Sequence, residues 1–435
     1  MAGSRNLAQT TVCQTPGVNI YSERLADFNR YVTWFKQSGM DKSAALKVIP
    51  TVIHVIYRNS SDSELITRAR INGQVEAANK QLRRLNENAR KTRSIFLPVA
   101  ADCDIQVCLA TRKPDQKRFT GVLYHYYPGY QFSDLDSIRA ATALDPDRYL
   151  NVWIIPATTS AAAVFPWLKT PSLDGFIVGA KAFGTEGADL DPVNNLGVTF
   201  THELAHYLGV LHTFDNGTAY QYRCDLVHDG SIADFCSDTP LDWELSFVYN
   251  SCNNGVRFCL NEEPVTSFFV QSENYMYYAF DSCLNMFSKD QRARMRACLQ
   301  GIRWKLSSLS NLNFTSVNYR DIWKYYKVPS FPPGSIYDKL NAYKAGRGKK
   351  IVVAPNPTSG IVHILYRDVF LKKEISIKVY NQFGQKLKEA HSHSLINEID
   401  ISAFPDGIYY LIITTDNISE TNYVVKIGAG RGLVK

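Results

Sequence analysis

Thr201-His202-Glu203-Leu204-Ala205-His206-Tyr207-Leu208-Gly209-Val210-Leu211-His212 holds three of the chain's nine histidines. Two histidines four apart lie on one face of a helix, so both imidazoles reach a single point. Gly209 accepts a positive φ, ends the helix and turns the chain so that His212 approaches the same point. Three converging imidazoles with a carboxylate beside the first fit HExxHxxGxxH, the pattern of a hydrolytic zinc site. The reading gives His202, His206 and His212 to one Zn²⁺ and the fourth position to water. Glu203 is placed to take that water's proton as general base.

The surrounding segments frame this helix, expected over residues 194–211. Lys47 to Tyr57 is β-branched and nearly continuous in apolar character, as a buried strand is. Residues 61–88 carry apolar side chains at helical spacing and predict one long helix. Strands are expected at residues 105–110, 149–156 and 175–183, and a third helix over 288–306. Strand, helix and further strands before a second helix make an α/β sheet the economical reading. From Ile351 short alternating segments are separated by turn signals (Asn356-Pro357-Thr358-Ser359-Gly360, Phe383-Gly384, Pro405-Asp406-Gly407), the spacing of a small all-β sandwich.

A chain of 435 residues exceeds one ordinary core, and 45% hydrophobic with 12% aromatic residues argues against long disorder. The net charge of +7 is dispersed, with no long block of like charge, so neither nucleic acid nor a membrane surface is expected as partner. No apolar run approaches the ~18 residues of a membrane-spanning helix, and Met1 to Asn6 do not lead into the apolar core of a secretory signal. Six of nine cysteines fall between 224 and 298, which predicts disulfides stapling a loop-rich region. Buried free thiols are the alternative.

The zinc helix together with Asp238-Thr239-Pro240, Asn274-Tyr275-Met276 and Asp281 to Phe287 resembles the pappalysin family of metzincin proteases. The bacterial cytophagalysin branch, with its ulilysin-like and mirolysin-like enzymes, is closest in character. That resemblance covers about residues 48–303 and implies an α+β metzincin domain, a mixed twisted sheet plus helices, that cleaves peptide bonds. Met276 is expected in a tight turn beneath the metal, and Tyr278, two residues on, as a hydrogen-bond donor to the oxyanion. By the same resemblance, Ala161 to Pro166 would be the edge strand that pairs with extended substrate. Asp225, Asp229, Asp234 and Asp238 are candidate calcium ligands, or solvated loop aspartates. Tyr277 stands where the family commonly has an acidic residue.

Residues 354–360, 377–384, 399–402 and 407–410 resemble the type IX secretion sorting domain of Bacteroidetes. They imply an Ig-like sandwich, export and an extracellular or cell-surface location. An adhesive or carbohydrate-binding module is the alternative for this unit. The expected partition is an N-terminal segment 1–47, a protease domain 48–306, a linker or extension 307–348 and the sandwich 349–435. The first segment reads as an appended pro-region, whose Cys13 is a candidate latency thiol for the zinc, or else an exposed or disulfide-linked cysteine. The chain is therefore expected to be a secreted zinc endopeptidase, with a binding protein on the same scaffold as the alternative.

Overall fold

The computed structural model describes residues 13, 15, 22–42, 46–168, 170–214, 234–240, 256–259, 266–317, 351–354, 358, 360–366, 375–392, 396–415 and 418–426. The chain divides into a unit of residues 1–325 and a unit of residues 326–435.

The first unit opens with α1 (Glu23–Gln37), β1 (Lys47–Tyr57), α2 (Ser60–Leu65) and α3 (Arg68–Leu82). It continues through β2 (Ala100–Ala101), β3 (Ile105–Leu109), β4 (Val122–Tyr126), α4 (Leu135–Thr142), β5 (Leu150–Ile155), β6 (Ala161–Ala163) and β7 (Phe176–Gly179). Beyond these lie α5 (Val198–Tyr207), β8 (Val256–Cys259), β9 (Thr266–Phe269), β10 (Phe287–Ser288), α6 (Lys289–Gln300) and α7 (Leu309–Thr315).

Strand β1 organises the main sheet, whose order is β3-β1-β5-β7-β6. Its first half pairs with β3 and its second half with β4, both parallel. The short β6 is antiparallel to β7 and forms the edge. The sheet is thus mixed, as expected, and β1 and β5 are buried nearly end to end because both their faces are covered. One face carries α3 and α5 in the main core. On the other, Ile56, Trp153, Ile155 and Ile177 pack with Leu135 and Ile138 of α4.

Two expectations need correction. The single helix over residues 61–88 is broken: Thr67 adopts an extended conformation and its side chain accepts the Arg70 amide, capping a new helix. The N-terminal segment is no mere appendage either. Leu25, Phe28, Val32 and Phe35 of α1 are spaced to line one face, and all four are buried in the main core. Within the expected extension, α7 packs on β1, so at least this part belongs to the first unit.

Five cysteines, Cys13, Cys103, Cys108, Cys236 and Cys298, are buried free thiols. Two of them, Cys236 and Cys298, belong to the cluster expected to pair, and there the alternative reading holds. Cys283 is disulfide-bonded.

In the second unit two antiparallel sheets form. The first is β11 (Ile351–Ala354), β12 (Ile361–Tyr366) and β15 (Ile396–Asp400); the second is β13 (Ile375–Asn381), β14 (Lys386–Ser392), β16 (Gly407–Thr415) and β17 (Ile418–Lys426). Alternation is clear in β13, where Ile375, Ile377 and Val379 are buried and the residues between them are half-buried. Across the pair, Ile377 faces Ile413 and Val379 faces Leu411. Buried apolar residues on every second position of two sheets are what an Ig-like sandwich requires.

Within the first unit, His54 on β1 lies fully buried and stacked on Trp153. Its Nε2–H donates to Asn151 Oδ1 at 3.0 Å, which leaves Nδ1 to accept from His125 Nε2 at 3.0 Å. Burial, and secondarily His125, depress its pKa to about 3, against the Asn151 bond. A base whose folded pKa lies below its unfolded one stabilises the fold fully above the unfolded value and loses that contribution as pH falls toward the folded one. From pH 7 to pH 5 the parent should therefore lose about 2 kcal/mol more stability than His54→Gln, read from denaturant titrations.

Candidate metal centre

All ten residues of α5 are buried, so this helix is gripped from every side. From α3, Gln74 Nε2 donates to Gly197 O at 3.0 Å and Gln81 Nε2 to Leu196 O at 3.0 Å. Thr201 Oγ1 donates to Gln81 Oε1. The helix ends at a turn in which Gly209 has a φ of 90°. A Cβ there would meet the Phe28 ring at 2.7 Å. The turn is thus closed by α1, and glycine is required by space as well as by conformation.

The turn brings the three histidines together. His202 Nε2 lies 3.2 Å and His206 Nε2 3.0 Å from His212 Nε2. On its other nitrogen each helical imidazole is committed: His202 Nδ1 donates to Tyr275 O at 2.7 Å and His206 Nδ1 to Val210 O at 2.8 Å. A carbonyl only accepts, so both Nε2 atoms present lone pairs. Burial, and then the neighbouring His212 and His202, push the His206 pKa well down. Both lone pairs point toward His212 Nε2, where a cation would be shared by all three rings. The donor set therefore fits a metal ion.

The fourth donor is Cys13. Its sulfur lies 3.6 Å from His206 Nε2. The thiol and the three imidazoles are all buried, with donor atoms within 4.8 Å of one another. Two residues on, Thr15 Oγ1 donates to Glu203 Oε2 at 2.9 Å and accepts the Ala163 amide at 2.9 Å. Cys13 is bridged in parallel sense to Ala161. Residues 13 and 15 thus lie along the free edge of β6. Burial pushes Glu203 up to about 7, against the nearby Cys13 thiol and Thr15 hydroxyl. Glu203 Oε1 has no hydrogen-bond partner.

Met276 is fully buried in a turn whose backbone brackets the site. The carbonyl before it holds His202, and its own carbonyl accepts Thr213 N at 3.4 Å, next to His212. The turn is held by Asn274, whose Oδ1 accepts Met276 N at 2.9 Å and whose amide bonds Gln271 and Gln291. The Tyr278 ring packs edge-on against His212, and its hydroxyl donates to Cys13 O at 3.4 Å. Tyr277 is buried against Phe214.

Of the aspartates expected to bind calcium, Asp225 and Asp229 lie outside the described residues. Asp238 spends its carboxylate on Ser288 Oγ and Asp290 N, and Asp234 bonds Cys236 N and Thr239 Oγ1 through Oδ1. Among the described residues the Cys13–histidine group is the one cluster with metal-ligand geometry. Sequence reasoning gave no individual role to Thr15, Asn274 or Asp281. Thr15 and Asp281 reach partners 188 and 85 residues away, which no local pattern announces, while Asn274 bonds neighbours within 17 residues.

Residues 134–300 match the peptidase family described as pregnancy-associated plasma protein-A, and residues 352–427 match the secretion system C-terminal sorting domain. An extracellular metalloprotease of Colletotrichum graminicola is 32% identical over 174 residues, 38% of this chain and 55% of that protein. One from Arthroderma benhamiae is 31% identical over 173 residues, 38% of this chain and 50% of that protein. The chain thus spans about half the length of the curated relatives it matches. Among solved structures, mature mirolysin of Tannerella forsythia in complex with a cleaved peptide is similar at 28% identity and a TM-score of 0.53, over 62% of this chain and 98% of that one.

Fold and site together define a metzincin-type metalloprotease unit. More narrowly, residues 134–300 match the pappalysin family and residues 352–427 a secretion system sorting domain. A catalytic metal goes with that family.

Gly209→Ala should destabilise the first unit by at least about 1–2 kcal/mol from backbone strain alone. The overlap with Phe28 adds to this. Chemical denaturation of parent and variant measures the difference.

Proposed function

We propose that the chain is a secreted zinc endopeptidase held latent by its own N-terminal segment. The observation that carries this reading is the buried convergence of His202, His206, His212 and Cys13 beside Glu203. Three imidazoles and a thiolate match zinc in number and in softness. Once bound, zinc supplies Lewis acidity toward a peptide carbonyl and makes water acidic near neutral pH.

The chain's own residues do the rest. Glu203 takes the proton of the attacking water at its free Oε1 and returns it to the departing amine. The Tyr278 hydroxyl, engaged with the Cys13 carbonyl in the latent form, turns to the oxygen on which charge develops. Edge strand β6 pairs with the extended backbone of a protein or peptide substrate. In the latent form residues 13 and 15 take all three places. The sulfur fills the fourth donor position, Thr15 occupies the base, and both residues cover the edge. The sorting domain and the extracellular relatives support export through the type IX machinery of a Bacteroidetes-type cell, to the surface or beyond. Among the described residues no helix is long and apolar enough to cross a membrane.

Casein hydrolysis by the full chain tests the reading. The uncut parent should be nearly inert and Cys13→Ala active. Adding Glu203→Ala to that variant should lower the rate by about 10²–10⁴, and a zinc chelator should abolish activity until zinc is restored. A parent as active as Cys13→Ala would overturn latency. Zinc bound one to one, with neither Cys13→Ala nor a chain cut after residue 47 cleaving anything, would favour a binding protein on this scaffold.

For calcium the support is Asp234 alone, buried with Oδ2 unpartnered. If the loop holds calcium there, millimolar calcium raises the melting temperature of the parent but not of Asp234→Asn. Equal melting of both with and without calcium removes calcium from the account.

A further inference from the structure

The metal helix begins without a cap of its own. Its N-cap position is Gly197, at a φ of 70°, and its first turn contains no acidic residue. The exposed amides of a helix N-terminus nonetheless need acceptors, above all when buried. Here the acceptor comes from 85 residues away. Asp281 Oδ2 takes Leu196 N at 2.8 Å and Val198 N at 3.4 Å. The Asp281 amide in turn donates to Val193 O at 3.1 Å. Its side chain is almost fully buried, at 3% exposure.

We infer that Asp281 is a positioning residue for the metal centre, setting where α5 sits along its axis relative to the turn that carries Met276. Asp281 follows Met276 in the loop whose carbonyls hold His202 and Thr213. One loop therefore holds the start of the helix through Asp281, the His202 ring through Tyr275 O, and the segment beyond the helix, at Thr213 N, through Met276 O.

Val198 and His202 are about one turn apart, roughly 6 Å along the axis. A carboxylate on the N-terminal amides also gains from the helix dipole. His202 and His206 ride on the helix, whereas His212 lies beyond its end. Any slip or rotation of α5 moves two ligands against the third. Gln74 and Gln81 bond carbonyls at this end, so they cannot take over the amides that Asp281 holds. A lost partner of this sort typically costs a metal site about 10–100-fold in affinity or activity.

The inference rests on the zinc reading above. Its test compares zinc dissociation constants by chelator competition, in the full chain carrying Cys13→Ala so that the thiol does not mask changes among the imidazoles. Asp281→Ala should weaken zinc by about 10–100-fold. At saturating zinc, kcat for a peptide substrate should fall by a similar factor with KM within about twofold. Asp281→Asn retains one acceptor oxygen in nearly the same shape. It should lie between parent and Asp281→Ala, and it carries the test if the alanine variant does not fold.

A lower melting temperature with zinc affinity and kcat both unchanged would overturn the inference, leaving Asp281 a stabilising cap only. A Cys13→Ala parent that binds zinc but cleaves nothing counts against the protease reading, while the affinity comparison still decides the role of Asp281. A parent that binds no zinc refutes both.

Discussion

Three imidazole nitrogens meet at 3.0–3.2 Å, an arrangement that a cation between them would satisfy. Two of the rings are locked by backbone carbonyls in the tautomer whose Nε2 lone pair points inward. Much of the first unit is explicable as scaffolding for this arrangement. The helix bearing His202 and His206 is buried on all sides. The turn at Gly209 is stoppered by an aromatic ring. The loop around Met276 offers two successive carbonyls to the segments carrying the histidines. Each device reduces the freedom of a ligand before any ion arrives, which is how a preorganised site limits the entropy lost on binding.

The N-terminal segment is bound into the same logic. Helix α1 delivers Phe28 to the Gly209 turn, and its Asn29 accepts from Arg294, whose Nε donates to Gly209 O. Lys36 pairs with Asp290 at the start of α6. Upstream of this anchor, Cys13 and Thr15 reach the metal donors, the base and the edge strand together. A segment that packs into the core on one side and fills the cleft on the other is tied at two places. Loss of the sulfur contact frees the fourth donor position, whereas detaching the whole segment would also expose the four apolar side chains that α1 buries.

Legibility in the sequence varied with the range of the interaction. Helix α5 and the alternation of the sandwich came from spacings of two to four residues, and strand β1 from a nearly continuous apolar run. The break at Thr67 was missed because helical spacing of apolar residues continues across it, while the cap is a single side-chain bond. Strand β4 was missed because only one of its five residues is buried, so it lacks the apolar run that marked β1. The cysteine cluster was misread in part, since Cys298 packs in the main core and the Cys236 thiol bonds the Asp234 carbonyl, and a count of cysteines sees neither.

By itself the sequence determined the donors and their number: the spacing of His202, Glu203, His206, Gly209 and His212 already dictates one helix face, a base and a turn. It determined too that a separate sandwich follows. Only the tertiary structure decided what surrounds those donors. Cys13 was a candidate latency thiol, or else an exposed or disulfide-linked cysteine, until the fold laid it beside β6. Thr15 on Glu203, and Asp281 on the first amides of α5, joined residues 188 and 85 positions apart. The physical reason is the reach of the chemistry. Ligand spacing within one turn of helix is local geometry that any chain of this sequence shares, whereas second partners are chosen by whichever buried groups the collapsed chain leaves facing one another.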